Sequence, residues 1–365
     1  MVLLWFNLIL VFSFSFLARY VATPITAPGI VDAIRPNKLL VFASLVSLVV
    51  ISGLRSNIGD TFFYKYSYEL NNFTWDTVIA QKDIGFGLLQ MLLKNFISED
   101  PQILIFTTAL ITNVFIIFVL YHYSRMLELS LYVYITGGLF LVSMNGIRQV
   151  LAAAIAFTAI KYVTEGSFIK YALIICLASL FHQSALILLP IYFLVRFKAW
   201  SKATLVLITV SLVIVVGFEQ FSALLFSALE DTQYGHYKGF EEGGSNILRV
   251  AVGAVPLFIA FLGRNKLRQL TPNSDYIVNM SLLGFIFMLI STQNWIFARI
   301  SIYFELYQLI LISWIVKLFR EKDQKFIYFG ILICYFAYYY YENVISLQIL
   351  YESDYLVWNT KGGEK

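Results

Sequence analysis

Four arginines, one histidine and one aspartate stand where polar residues are expensive, at the edges of long apolar runs. Arg148 follows Asn145 and precedes Gln149, Arg249 follows Asn246, and Arg299 follows Gln293 and Asn294. Arg55 and Asp60 come just past a second apolar run, and His182 lies with Gln183 between two others. Ionisable groups at or inside a membrane are costly and are functional candidates by default. Arg148, Arg249 and Arg299 each open an expected helix. Helix starts carry free N–H groups and partial positive charge. A guanidinium added there makes a strong anion site. Three such starts on one face would clamp a diphosphate, with Arg55 as a fourth cation. The alternative for each arginine is a side chain that simply reaches toward lipid headgroups.

Two groups compete for the role of base. A histidine, with an ordinary pKa of about 6.5, can take a proton from a hydroxyl. His182 has that capacity; its alternative is a hydrogen-bonded residue that fixes the junction of two short helices. Asp60 is the rival, since a carboxylate close to lipid has a raised pKa; its alternative is a solvated acid paired with Arg55. Arg299 and Tyr303 share a helical face at i, i+4, while Ser301, Glu305 and Gln308 form a second stripe in which Glu305 reads as structural. Gln149, Tyr303 and Asn145 are the candidates to orient a substrate. The sequence has no Walker loop, dinucleotide glycine motif, His/Cys metal spacing, serine elbow or Asp-x-Asp cluster. No metal and no cofactor are therefore expected.

The elements that must position these groups follow from composition. Apolar residues make up 59% of the 365 residues and charged ones only 13%. A soluble domain carries about 25% charged residues. Runs such as 42–53, 103–120 and 302–316 are too long and continuous for barrel strands. Backbone groups in lipid must then be satisfied within helices. The expected fold is all-α, a polytopic transmembrane helix bundle forming a single integral membrane domain over residues 1–365. About twelve spans are expected, near 2–18, 38–54, 101–121, 131–145, 147–163, 170–181, 184–196, 203–218, 247–262, 277–291, 296–316 and 326–342. The junctions at Asn145-Gly146 and at Phe181-His182-Gln183 are read as breaks between short spans; the alternative for each pair is one long bent helix or a re-entrant pair. The first run lacks a basic leader and a small-residue cleavage site, so it reads as a retained helix. The two cysteines lie in apolar runs and do not form a disulfide scaffold, and no basic stretch points to nucleic acid.

Charge sets the orientation, because cytoplasmic loops are rich in Lys and Arg. One alternating set of span ends holds 16 basic and 6 acidic residues, and the other holds 10 basic and 16 acidic. The first set is assigned to the cytoplasm, which puts both termini and all the candidate groups outside. Two outer loops are long, at 55–100 and 219–246. The first contains 84–97, which is broadly apolar with Gln90 and Lys94 on one face and suits a helix lying in the interface, with a short extra span as the alternative. The second is acidic, Gly-rich and expected to be mobile.

The stretches LRSNIGDTFFY (54–64), NGIRQVLAAAIAFTAI (145–160), FHQSALILLPIYF (181–193) and ARISIYF (298–304) resemble, in order and spacing, the EpsG family of Wzy-like polysaccharide polymerases. That family's pattern has an Arg with Gly-Asp and Tyr in the first outer loop, an Arg-Gln pair opening a span, a His-x-Ser-Ala turn and a late Arg before Tyr-Phe. Here Thr61-Phe62 follow Asp60 where the pattern has an aromatic directly, which puts the role of Asp60 in question. The resemblance implies a glycosyltransferase related to the GT-C class in a bacterial cytoplasmic (inner) membrane. It implies polymerisation of undecaprenyl-diphosphate-linked oligosaccharide into capsular or exopolysaccharide, with a chain-length regulator protein as a possible partner. Arg148, Arg299, Arg249 and Arg55 would then hold the diphosphate, and His182 or Asp60 would act as base. A flippase for the same lipid-linked sugar and a membrane O-acyltransferase are the competing functions. Transporters bind near the midplane, whereas these polar groups gather at one edge.

Overall fold

The computed structural model describes residues 1–24, 34–228 and 243–356. Among them the chain is helical, apart from one antiparallel ladder pairing Thr23 with Arg35 and Pro24 with Ile34. In chain order, α1 (Val2–Tyr20) and α2 (Lys38–Gly53) pack on each other, and α3 (Thr61–Leu70), α4 (Trp75–Ile79) and α5 (Ile84–Phe96) fill the first long loop. Then come α6 (Gln102–Tyr123), α7 (Leu127–Thr136), α8 (Leu139–Asn145), α9 (Ile147–Phe157), α10 (Ile160–Glu165) and α11 (Phe168–Ser179). A 3-10 turn at Gln183–Ile187 leads into α12 (Leu188–Leu194), α13 (Lys202–Val216), α14 (Phe218–Ala228), α15 (Ile247–Leu262) and α16 (Arg264–Leu270). The last helices are α17 (Ser274–Ile290), α18 (Ile296–Ile315) and α19 (Glu321–Tyr340), which ends in a π-helical turn at Tyr341–Ser346.

Four helical stretches are long and apolar enough to cross a membrane: Val2–Tyr20, Gln102–Tyr123, Ile147–Glu165 and Ile296–Leu318. Counting three bent pairs as broken spans raises the number to seven: α7 with α8, α13 with α14, and α15 with α16. The chain is thus a multi-pass membrane protein. Fewer full-length helices form than apolar runs because several runs fold short. Lys38–Gly53, Phe168–Ser179, Gln183–Leu194 and Ser274–Ile290 have 10 to 17 residues, below the roughly 20 that cross a bilayer core directly. Residues 131–145 bend by 56° between α7 and α8, where Gly138 adopts φ +93, a backbone state that suits glycine. The helix is interrupted at both junctions: Gly146 separates α8 from α9, and His182, extended at φ −158, separates α11 from the following turn.

Hydrogen bonds sort the helix ends into two groups. At one end Gln102 donates to the Gly53 carbonyl at 2.6 Å, Asn57 to the Leu350 carbonyl at 2.7 Å, and the Ser245 N–H to the Ser291 carbonyl at 2.8 Å. At the other, Trp314 donates to the Tyr123 carbonyl at 2.8 Å and Asn279 to the Phe197 carbonyl at 2.6 Å. Helix α6 carries Gln102 at the first end and Tyr123 at the second; its 22 residues, at about 1.5 Å each, separate the ends by roughly 33 Å.

Helix α9 is the axis of the bundle. All its residues except Arg148 are buried. A helix apolar all round belongs in a core, and buried Ala152, Ala153, Ala154 and Ala156 let α6, α11 and α18 approach closely. Arg148 therefore emerges at one end, with Gln149 buried beside it.

The first long loop is a small helical cap with its own apolar centre of Tyr68, Phe73, Phe86, Leu93, Leu104, Ile105 and Ile147. The segment expected to be an interfacial helix is α5. Gln90 is buried, and the Lys94 ammonium turns inward to cap α3, donating to the carbonyls of Tyr68, Glu69 and Asn71 at 2.7, 2.9 and 2.9 Å. Leu92, Phe96 and Ile97 remain exposed on α5 and the residue that ends it. The second long loop opens as α14; residues 229–242, on which its expected mobility rests, lie outside the described residues.

Candidate active site

His182 is the centre of the polar groups at the end where α9 begins. Its Nδ1 lies 2.6 Å from the Ser184 hydroxyl, which lies 2.8 Å from the Tyr303 hydroxyl. The Tyr303 oxygen is also 3.5 Å from Nδ1, so the three groups close a small ring. Tyr303 comes from α18, one turn after Arg299, so α18 contributes a hydroxyl and a cation from one face. In the turn between α11 and α12, His182 is held below the ordinary histidine range. Burial is the larger cause, the Arg148 and Arg299 cations add to it, and the Asp83 carboxylate opposes it. The imidazole is therefore neutral at neutral pH, the form that accepts a proton.

Asp83 is the residue that sequence reasoning missed. It precedes α5 but makes no side-chain cap there. One carboxylate oxygen accepts from Arg148 Nη1 at 2.9 Å, and the other accepts from the Gln183 N–H at 3.2 Å. A single acid thus joins the cap, the head of α9 and the histidine turn. An aspartate directly before an apolar helix reads as an N-cap, which hides this use; only the fold puts Arg148 next to it. Helix α5 reaches the turn because Gly85 has no side chain. Its N–H donates to the Leu180 carbonyl at 2.7 Å, and a Cβ there would lie 2.8 Å from that of Leu180.

The Arg148 side chain remains 44% exposed despite its ion pair. The rings of Tyr64 and Phe86 lie 6.0 and 5.9 Å from its guanidinium carbon. The Arg299 guanidinium rests on the Trp295 ring at 4.6 Å and has no carboxylate partner among the described residues. Gln149 donates to the Arg299 carbonyl at 2.7 Å, which ties the starts of α9 and α18 together. Arg148, Arg299, His182, Gln149 and Tyr303 are thus brought together.

Asn145 and Asp60 adjoin this group. The Asn145 side-chain amide oxygen accepts from the Asp60 N–H at 3.0 Å. Gly59 permits the approach: at φ +53 it sits so close that a Cβ would lie 2.2 Å from that oxygen. The Asp60 carboxylate acts on Arg148 through space.

Two of the four arginines have other partners. Arg55 is 1% exposed. It donates to Thr61 Oγ1 at 2.9 Å, to the Met144 carbonyl at 2.7 Å and to the Ser52 carbonyl, and it does not pair with Asp60. Arg249 is ion-paired to Glu342, with Nε to Oε1 at 2.7 Å. It lines a separate cavity of about 450 Å³ together with Asn145, Glu305, Gln308, Tyr338 and Glu342. Glu305 accepts from Ser301 at 2.5 Å and lines the same cavity as Arg249, whose ion pair is with Glu342. The α15 start itself is closed by Asn246, which accepts from the Leu248 N–H at 2.9 Å. Asn145, which adjoins the histidine group with Asp60, also lines this cavity. No group of His, Cys, Asp and Glu suited to a metal occurs among the described residues.

Neither the curated proteins nor the solved structures contain a match to this chain. The family model for the EpsG family matches residues 38–354, most of the chain and all of the groups described above. The chain belongs to the EpsG family, a family of Wzy-like polysaccharide polymerases.

Proposed function

We propose that this protein joins undecaprenyl-diphosphate-linked oligosaccharides into capsular or exopolysaccharide, on the extracytoplasmic face and without a metal. The observation that carries this reading is the convergence of Arg148, Arg299 and the half-buried His182 at one end of the bundle, linked through Asp83, Gln149 and Tyr303. Twelve traversals with the α9 head outward complete the reading, in line with the basic residues gathered at the opposite end.

The acceptor hydroxyl oxygen bonds to the anomeric carbon of the donor sugar. The bond from that carbon to the diphosphate oxygen breaks, and its electron pair leaves with the diphosphate. That leaving group needs fixed positive charge rather than a proton. Arg299, on its tryptophan, and Arg148, aimed by Asp83, supply it. The hydroxyl proton passes to His182 Nε2. For this, Nδ1–H donates to Ser184 and Ser184 donates to Tyr303, which leaves Nε2 as the acceptor. Gln149 and Asn145 fix the backbone around the site. Arg55 and Arg249 support the wall in this scheme, since their donors already serve protein groups. Asp60 is the secondary base, bound in place through its own N–H.

The test is polymer length in cells carrying Arg148→Ala. Long polymer should disappear while the membrane holds the normal amount of protein. Polymer of unchanged length would overturn the assignment. Polymerisation by purified protein in detergent separates this reading from a flippase, which needs a sealed vesicle.

A further inference from the structure

The second large cavity lies at the end of the bundle opposite the candidate site and measures about 930 Å³. Its walls are the start of α2 and the end of α6. Lys38, Val41, Phe42 and Leu45 line it from α2, and Val114, Ile117, Phe118 and Tyr121 line it from α6. Each set follows the spacing of one helical face. The helices run in opposite senses, so Lys38 and Tyr121 lie at the mouth while Leu45 and Val114 lie deeper. Seven residues at about 1.5 Å give an apolar groove roughly 10 Å deep.

The mouth is basic. Arg35, Lys38, His122 and Arg125 line it, and none of the described lining residues is acidic. Arg125 is committed, donating to the Leu270 carbonyl at 2.5 Å and to Thr271 at 3.2 Å. Arg35 and Lys38 are exposed and form no side-chain hydrogen bond or ion pair among the described residues. The α2 start is not the attraction, because Asn37 already accepts from the Leu39 and Leu40 N–H groups at 3.0 and 3.3 Å. Two cations with no side-chain partner among the described residues, above an apolar groove, match a molecule with an anionic head and a hydrocarbon tail.

We propose that this cavity binds one anionic glycerophospholipid from the leaflet opposite the active site. Its phosphate lies between Arg35 and Lys38, and an acyl chain lies against Phe42 and Phe118. Neutral Ser124 and Asn273 at the mouth suit the hydroxyls of a glycerol head. Such a lipid would fill the space between α2 and α6 without touching the catalytic groups.

Native mass spectrometry of the full-length protein tests this, with phosphatidylglycerol, phosphatidylcholine and a polyprenyl phosphate as probes. Phosphatidylglycerol should be retained over phosphatidylcholine. The double variant Arg35→Gln/Lys38→Gln should bind it at least about tenfold more weakly, as expected for loss of charge-assisted bonds. Phe118→Trp, which narrows the groove without altering charge, should also weaken it. Arg148→Ala should retain it fully, so failure of the polymerase reading leaves this site standing. Equal retention of both phospholipids, or of phosphatidylglycerol by the double variant, overturns the proposal. Stronger retention of the polyprenyl phosphate overturns the choice of lipid.

Discussion

At the scale of the residue, the decisive feature is a histidine whose charge state is set by burial and by three charged neighbours. Burial and two arginines hold the His182 imidazole below its ordinary value, and Asp83 partly offsets them. A base works only when unprotonated, so the acid limb of the pH–rate profile should lie below the ordinary histidine value of about 6.5. Asp83→Asn removes the one influence that raises His182, so the limb should move to still lower pH. A shift to higher pH would show that another group titrates. His182→Gln should lower the polymerisation rate of purified protein by about 10²- to 10⁴-fold, the usual share of a general base. If Asp60→Asn gave that loss and His182→Gln did not, the roles of the two would be exchanged.

At the scale of the element, separate helices meet through two glycines and one buried arginine. Gly85 brings α5 against the end of α11, and Gly59 brings the α3 start against Asn145. Gly85→Val should push the cap outward by forcing a side chain into Leu180; overpacking of this kind costs about 1–3 kcal/mol. Thermal unfolding should show a modest loss, and polymer yield a larger one, because Asp83 moves with the cap. Arg55 ties α2, α3 and α8 into one corner. Arg55→Ala would leave buried acceptors unpaired, at about 1–3 kcal/mol each, and should lower the unfolding temperature. Arg148→Ala should lower it less, since its side chain is partly exposed and Asp83 keeps the Gln183 N–H as a partner. Equal melting temperatures for the two variants would contradict this division between support and ligand.

At the scale of the whole molecule, the bundle has one end that gathers the candidate groups and one that gathers most of the basic residues. Orientation can be read with an impermeant thiol reagent in a background lacking Cys176 and Cys334. Glu99→Cys, in the exposed turn before α6, should react in intact cells. Lys322→Cys, in the first turn of α19, should react only after the membrane is opened. The reverse pattern would put the candidate site in the cytoplasm and exclude a polymerase working outside.

Some of this was legible in the linear chain. Apolar runs and the cost of unpaired backbone in lipid dictate an all-helical membrane protein, because that requirement acts on each segment by itself. The breaks at Gly146 and His182 were marked by polar residues interrupting apolar ones. The family motifs identified Arg148, Gln149, His182, Arg299 and Tyr303 because each sits where a segment meets the membrane edge. The partners of these groups were not legible. Whether an arginine faces a site or a carboxylate depends on which distant segments lie beside it. Arg55 and Arg249 look like Arg148 in sequence, yet Thr61 and Met144 claim one, and Glu342 the other. Asp83 looks like a helix cap and instead holds Arg148. Apart from Arg55 with Thr61, these pairings join segments 65 to 93 residues apart, so packing selects them, and no local pattern of residue types encodes the choice.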